Sequence, residues 1–242
     1  MRLVSWNCRQ GLHRPDKLLY LAGLRPDVAV LPEAAEPART AGPLRKIGLD
    51  LIAWRGENPN KGLGLAVSTS INARSGAEKA IPEELFLHKQ VHQDGQGEVL
   101  DVFGVWAFNH RAKSYGKGRK DNTLRALESM ELSPAACAVV AGDFNDSIVW
   151  DKHSQYGGFS RVLGFLDQKG FVSAYHVFHG CEHGLEHDPT IKWSGGRRTY
   201  HIDFVFLPRN WMSFVRAVRV PPISEWDHVS DHAPVIVDID LP

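Results

Sequence analysis

The segment Ala141-Gly142-Asp143-Phe144-Asn145 carries a carboxylate and a carboxamide two residues apart, directly after a glycine. The residues before it, Ala135-Ala136-Cys137-Ala138-Val139-Val140, are small, apolar and partly β-branched, the composition of a buried strand. Gly142 lets the backbone leave the sheet in a conformation most residues avoid. In an extended continuation Asp143 and Asn145 project from the same face. Together they suit chemistry on an anionic, metal-bound group. Asp and Asn also suit ordinary turns, so the segment does not decide alone.

The pattern recurs. Trp6-Asn7, Leu31-Pro32-Glu33, Phe108-Asn109-His110 and His201-Ile202-Asp203 each place a polar ligand type at the end of an apolar run, and Ser230-Asp231-His232 precedes the last strand. Gathered along one sheet edge, these residues form a cup of Asn, Glu, Asp and His. Mg²⁺ takes one or two carboxylates together with waters and substrate phosphates, and the cup suits it. A structural zinc site would favour cysteines.

The elements that must carry the cup interleave. Strands are expected at Arg2–Asn7, Val28–Leu31, Leu49–Trp54, Gly62–Val67, Phe86–His92, Val99–Phe108, Thr199–Leu207 and Pro234–Ile239. Helices are expected from Pro15 to Leu24, around Leu44 and Ile47, and at Thr123–Leu132 and Ser160–Lys169. Strand runs follow one another without helices near 62–108 and 199–239, which predicts an α/β or α+β domain with more than one sheet. The 242 residues read as one domain, 1–242, with no repeat or linker. Seven Trp and eleven Phe supply core volume, and the three cysteines form no CxxC pair. Met1 leads straight into a strand pattern, and no apolar run reaches the roughly 18–20 residues of a membrane span. A cytoplasmic protein is expected. Charge is balanced, 28 basic against 28 acidic residues, which disfavours tight, sequence-independent gripping of long duplex DNA. The one basic stretch, Arg111–Asp121, reads either as a solvated loop or as a loop that clasps phosphate.

Taken in order, Trp6-Asn7, Pro32-Glu33, Gly142-Asp143-Phe144-Asn145, His201-Ile202-Asp203-Phe204 and Ser230-Asp231-His232-Ala233-Pro234 resemble the endonuclease/exonuclease/phosphatase superfamily, the fold of DNase I and exonuclease III. The resemblance runs from residue 5 to about 238. It is nearest to a bacterial branch, similar at 58–64, 105–107, 172–180 and 201–204. It implies an α+β fold: a four-layer α/β/β/α sandwich of two packed, mainly antiparallel sheets flanked by helices. It also implies metal-dependent phosphoester hydrolysis, with Mg²⁺ or Mn²⁺ as the ion. Glu33 then matches the principal metal carboxylate, Asn7 stands beside it, and Asp231 matches the second metal-side carboxylate. Asp143 matches the group that orients or deprotonates the attacking water or helps a second metal, and Asn145 holds a phosphate oxygen. His232 faces the scissile phosphate, with Asp203 hydrogen-bonded behind it. His110 is the candidate further phosphate contact, Tyr115 the weaker one.

Several subgroup signatures are missing. Pro32 stands where abasic-site endonucleases carry Gln, their Tyr-x-Pro-Asn loop is absent, and His201 replaces their arginine. The Trp-Thr-Asp-Arg of inositol polyphosphate phosphatases is absent too. The expectation is a phosphodiesterase, a nuclease for short or single-stranded nucleic acid. The alternative is a phosphatase or phosphodiesterase of a small molecule or lipid headgroup. His176, His179, His183 and His187 would share one face of a helix, but Gly180 and Gly184 disfavour that helix. A second metal site, a loop at the substrate mouth and a plain surface loop all stay open for them. Lys61 reads as solvated rather than phosphate-binding, Trp150 and Trp193 as packing rather than base-stacking, and Cys8 as core. The whole reading requires Glu33, Asp143 and His232 to lie within roughly 15 Å of one another, the reach of an ion and one phosphate.

Overall fold

The computed structural model of the chain describes residues 1–71, 74–75, 81, 86–92, 99–107, 120–133, 137–153, 158–193 and 198–240. In chain order the elements are β1 (Arg2–Ser5), α1 (Pro15–Leu24), β2 (Val28–Ala34), α2 (Pro37–Lys46), β3 (Leu49–Asn58), β4 (Lys61–Ser68), β5 (Arg74–Ser75), β6 (Phe86–His92), β7 (Val99–Trp106) and α3 (Lys120–Ser129). Then follow β8 (Ala138–Asp143), α4 (Phe159–Gln168), β9 (Phe171–Ser173), α5 (Ala174–His179), β10 (Ile191–Lys192), β11 (Thr199–Tyr200), β12 (Asp203–Pro208), β13 (Val215–Arg219) and β14 (Val235–Ile239).

Two six-stranded sheets result, in the orders β13-β14-β1-β2-β4-β3 and β5-β6-β7-β8-β12-β9, with β10 and β11 forming a separate ribbon. Each sheet has one parallel pair, β1 with β2 and β7 with β8, and is otherwise antiparallel. Parallel neighbours need a crossover, and α1 and α3 lie between the paired strands in sequence. The alternation of side chains along β8 divides the core. Val139 and Ala141 join the cluster that fills the space between the sheets, along with Val205, Leu207, Leu65, Val235 and Val237. Ala138 and Val140 turn to the other face and meet Phe204, Phe206, Ala126 and Leu127 of α3, and Phe159, Val162 and Leu166 of α4. Leu21 of α1 and Leu44 of α2 belong to the first cluster. Helices, sheet, sheet and helices make the expected four-layer α+β sandwich.

Four local expectations change. Asp203 opens β12 rather than closing a longer strand, because His201 and Ile202 break the chain between β11 and β12. β12 runs antiparallel to β8 with Asp203 opposite Asp143, so the start of one strand and the end of the other reach the same sheet edge. Glu33 lies inside β2, at a bulge with a φ of 61°, where the register to β4 shifts. Asn145 has a φ of 49°, so it turns rather than extends. Its side chain still meets Asp143, by a left-handed turn rather than by strand alternation.

Gly142 stays within β8 rather than leading out of it. Its φ is 150°, and an added Cβ would lie 1.8 Å from the carbonyl oxygen of Val105 on β7. No rotamer relieves a clash with backbone, so β7 and β8 would have to part. Gly142→Ala is therefore expected to destabilise the fold by about 3 kcal/mol or more. Urea unfolding checks this, and a midpoint equal to that of the wild type would refute the reading.

Candidate active site

Pairing directions explain why residues far apart in sequence converge. β1 and β2 are parallel, so their ends share an edge, and β14 begins at that edge because Ser5 pairs with Val235. Beyond β1 the backbone keeps bonding along β2, through Trp6 N–H to Val30 O at 2.9 Å and Cys8 N–H to Pro32 O at 3.1 Å. Asn7 and Glu33 are thereby set side by side. In the second sheet Asp143 and Asp203 sit opposite one another.

Two polar ties then cross from sheet to sheet. Asn7 Nδ2 donates to Asp143 Oδ2 at 2.9 Å. His232 Nδ1 and Asp203 Oδ2 are 2.9 Å apart. Asn7, Asp143, Asp203 and His232 are all buried, and Asp143, Asp203 and His232 each bring a potential ligand atom within 4.8 Å of the others. Asp143 also accepts from Asn145, through the backbone N–H to Oδ1 at 2.8 Å and Nδ2 to Oδ2 at 2.9 Å. Asn145 Nδ2 in addition reaches Ala107 O at 2.8 Å.

Asn7 serves as a bridge. Its Nδ2 edge faces Asp143 and, at 3.4 Å, Glu33 Oε1, while its Oδ1 accepts the Arg9 N–H at 2.9 Å. Among the described residues Glu33 takes no other hydrogen bond, so its carboxylate keeps lone pairs free. Asp231 sits at the rim, with Oδ2 3.5 Å from Arg9 Nε. The sequence-predicted residues thus form two bonded groups, Asn7–Asp143–Asn145 and Asp203–His232, brought together in one cluster. Glu33 is joined to it through Asn7, and Asp231 by its place next to His232. His110 and Tyr115 lie outside the described residues, as does most of the basic stretch 111–121.

The cluster's frame contains residues that the sequence did not single out. Thr190 is buried. Its Oγ1 accepts the N–H groups of Ile202 at 2.9 Å and Asp203 at 3.0 Å, and its carbonyl accepts Ala233 N–H at 2.7 Å. Ser230 Oγ donates to Asn7 O at 2.8 Å and accepts His232 N–H at 3.2 Å, and Trp6 Nε1 donates to His232 O at 3.1 Å. Lys17 of α1 is buried, and its ammonium bonds the carbonyls of Cys8, Arg9 and Gln10. That clamp holds a left-handed run, Arg9, Gln10 and Gly11, at φ 46°, 59° and 61°. The only local signal for Lys17 is a cationic residue one position before the apolar Leu18 of an otherwise amphipathic helix. Cys8 is buried, and burial pushes its thiol up to about 12, so it is no nucleophile at neutral pH. Lys61 Nζ lies 5.7 Å from the ring centroid of Trp106. Trp150 and Trp193 stack at 5.9 Å and pack with Ile191 and Ile202, as packing residues would.

The charges are coupled. Burial pushes the Asp143 carboxyl up, with the Asp203 carboxylate adding to it and His232 opposing. Burial alone would push the His232 imidazole down, but the carboxylates of Asp203 and Asp143 outweigh it and hold the ring well above its ordinary value. The imidazolium is thus kept as pH rises past neutrality.

No protein-family model and no curated protein sequence matches the chain. Solved structures do. An AP endonuclease from Archaeoglobus fulgidus superposes with a TM-score of 0.73 at 15% identity, covering 100% of both chains. The 3′-5′ exonuclease NExo from Neisseria meningitidis gives 0.73 at 17%, again covering 100% of both. TDP2 from D. rerio, complexed with single strand DNA product, gives 0.69 at 16%, covering 100% of this chain and 99% of that one. At such identities the likeness establishes the fold alone: the chain has the DNase I-like fold.

Because Asp203 is the leading cause of the raised His232 value, Asp203→Asn should make the ring lose its proton at lower pH than in the wild type. The amide can still occupy the site but carries no charge. Ring ¹⁵N shifts of His232 followed through a pH titration of the metal-free protein read this directly. An unchanged or higher midpoint would contradict the coupling.

Proposed function

We propose that the protein is a divalent-metal-dependent phosphoesterase, a phosphodiesterase that cleaves short or single-stranded nucleic acid by direct attack of water. The observation that carries this reading is the pair of cross-sheet ties, Asn7–Asp143 and Asp203–His232, which set an acceptor for a water proton beside a held imidazolium. The fold supports it, since solved proteins with that fold include an AP endonuclease, a 3′-5′ exonuclease and TDP2 with single strand DNA product.

Glu33 and Asp231 are the proposed ligands of a Mg²⁺ or Mn²⁺ ion. Asn7 holds Glu33 towards the cluster and stands ready with its carbonyl oxygen. The set is all oxygen, and Glu33 has a carboxylate with little else to bond, which fits a hard cation. When bound, the ion would supply positive charge against the phosphate and lower the pKa of a bound water. The remaining steps belong to the chain's own side chains. Asp143, fixed by three N–H donors, orients the attacking water and takes its proton. Asn145 holds a non-bridging phosphate oxygen. His232 stabilises the charge that develops on the phosphoryl group, and Asp203 keeps the ring oriented and protonated. Arg9, next to Asp231 at the rim, meets the flanking phosphate. His110 would add a further phosphate contact. Balanced charge fits a short or flexible substrate better than a long duplex.

Asp143→Asn, Glu33→Gln and His232→Ala are each expected to lower kcat by about 10²-fold or more with the fold retained. Exhaustive chelation should abolish turnover, and Mg²⁺ or Mn²⁺ should restore it. The substrate class follows from a panel of single-stranded DNA, duplex DNA, RNA, bis-p-nitrophenyl phosphate and p-nitrophenyl phosphate. Cleavage of single strands and of the diester supports the proposal. Preference for the monoester would move the reading to a small-molecule or headgroup phosphatase. Near-wild-type turnover in two of the three variants would refute the assignment of residues.

A further inference from the structure

A second polar cluster lies in the chain between β9 and β12, and the proposed phosphoester chemistry makes no use of it. α5 ends at Gly180, which has a φ of 64°, and the chain turns again at Gly184, with a φ of 90°. The turns fold His183 and Glu186 back over His176. The rings of His176 and His183 stack at 3.5 Å between centroids. His176 Nε2 lies 3.0 Å from Glu186 Oε1. His176, His183 and Glu186 each place a potential ligand atom within 4.8 Å of the others.

Plain hydrogen bonding accounts for only part of this arrangement. The Glu186 carboxylate is engaged by His176 and by the Gly184 N–H at 2.8 Å. His183 Nδ1, however, is buried with no hydrogen-bond partner, and so is His201 Nε2. His201 is buried, and its Nδ1 faces the carbonyl of Asp188 at 2.8 Å. A carbonyl can only accept, so Nδ1 carries the proton and Nε2 presents a bare lone pair. Its ring centroid lies 5.6 Å from that of His176. His176 Nδ1 is likewise held by Ser173 Oγ at 2.7 Å. A ring nitrogen fixed by an outer partner while the other points inward is the arrangement of metal-binding histidines. Bare buried nitrogens are costly without such a use. Burial first, then the neighbouring His176, pushes the His183 imidazole down to about 3, so the ring is neutral and able to donate its lone pair.

We propose that His176 Nε2, His183 Nδ1 and a Glu186 carboxylate oxygen form a zinc site, with a water in the fourth position and the His201 ring packed beside it. Imidazole nitrogens select zinc over magnesium, and two or three of them with a carboxylate suit its four-coordinate geometry. The ion would pin the turn that carries His183 and Glu186 onto His176, whose ring packs 5.6 Å from that of His201, two residues ahead of Asp203. Its role would be to hold the start of β12, and with it the Asp203 carboxylate. This site is separate from the proposed Glu33–Asp231 centre and does not depend on the phosphoesterase reading.

The test compares Glu33→Gln with Glu33→Gln/His183→Ala, so that the first centre is weakened equally in both. Each chelator-stripped protein is loaded with excess Zn²⁺, passed through a desalting column, and assayed for metal by atomic emission. The double variant should hold about one zinc fewer per chain. Zinc should raise the melting temperature of Glu33→Gln by several degrees and leave the double variant unmoved. If circular dichroism shows that His183→Ala unfolds the chain, Glu186→Gln replaces it as a near-isosteric change, expected to weaken zinc retention at least about tenfold. Equal zinc content in the compared proteins, or no retained zinc in either, overturns the proposal.

Discussion

Two carboxylates and an imidazole share a buried seam between the ends of the two sheets, and much of the surrounding structure serves to satisfy them. Charges removed from water are costly unless they are paired and hydrogen-bonded. Asp143 receives three N–H donors, two from Asn145 and one from Asn7. Asp203 is matched by His232 at 2.9 Å. The Asn7–Asp143 and His232–Asp203 ties each join one sheet to the other, so the sandwich cannot slide at this end without exposing an unpaired charge. The same groups that constrain the fold are the ones to which the proposed chemistry falls.

Backbone strain gathers at the same place. Glu33, Gly142 and Asn145 have φ values of 61°, 150° and 49°, and Arg9, Gln10 and Gly11 form a left-handed run beside them. Such conformations persist only where the neighbours over-determine them. Here the neighbours are identifiable. Lys17 gathers the carbonyls of the left-handed run, Thr190 gathers the N–H groups that open β12, and Ser230 binds the chain before β14 to Asn7. Away from the seam the core is conventional. Phe144, Phe159, Phe204 and Phe206 pack edge-to-face, tilted or stacked at 5.0 to 5.9 Å, behind the polar cluster and against α4.

The start of β12 links two chemically distinct clusters. His201 packs its ring against His176 of the histidine-rich loop, while Asp203, two residues on, carries the His232 imidazole. Oxygen donors dominate one cluster and nitrogen donors the other, so the two favour different ions.

What the amino-acid sequence determined by itself is local. Alternating and continuous apolar runs placed most of the longer strands and helices to within a few residues, though not β9, α5 or β13, because burial on a sheet or helix face has a short period that neighbours reveal. Residue types at the ends of those runs, Asn7, Glu33, Asp143, Asn145, Asp203, Asp231 and His232, marked the candidate site before any contact was known. The tertiary structure decided what periodicity cannot carry. It set the antiparallel pairing that puts Asp203 opposite Asp143, the bulge that turns Glu33, and the bond between Asn7 and Asp143, 136 residues apart. It also folded the histidine-rich segment, for which the sequence left three readings open, into a cluster of His176, His183 and Glu186, because Gly180 ends the helix after about a turn and a half and Gly184 turns the chain again. Those choices depend on which distant partner supplies a donor or excludes water, and a stretch of chain holds no information about a partner it has not yet met.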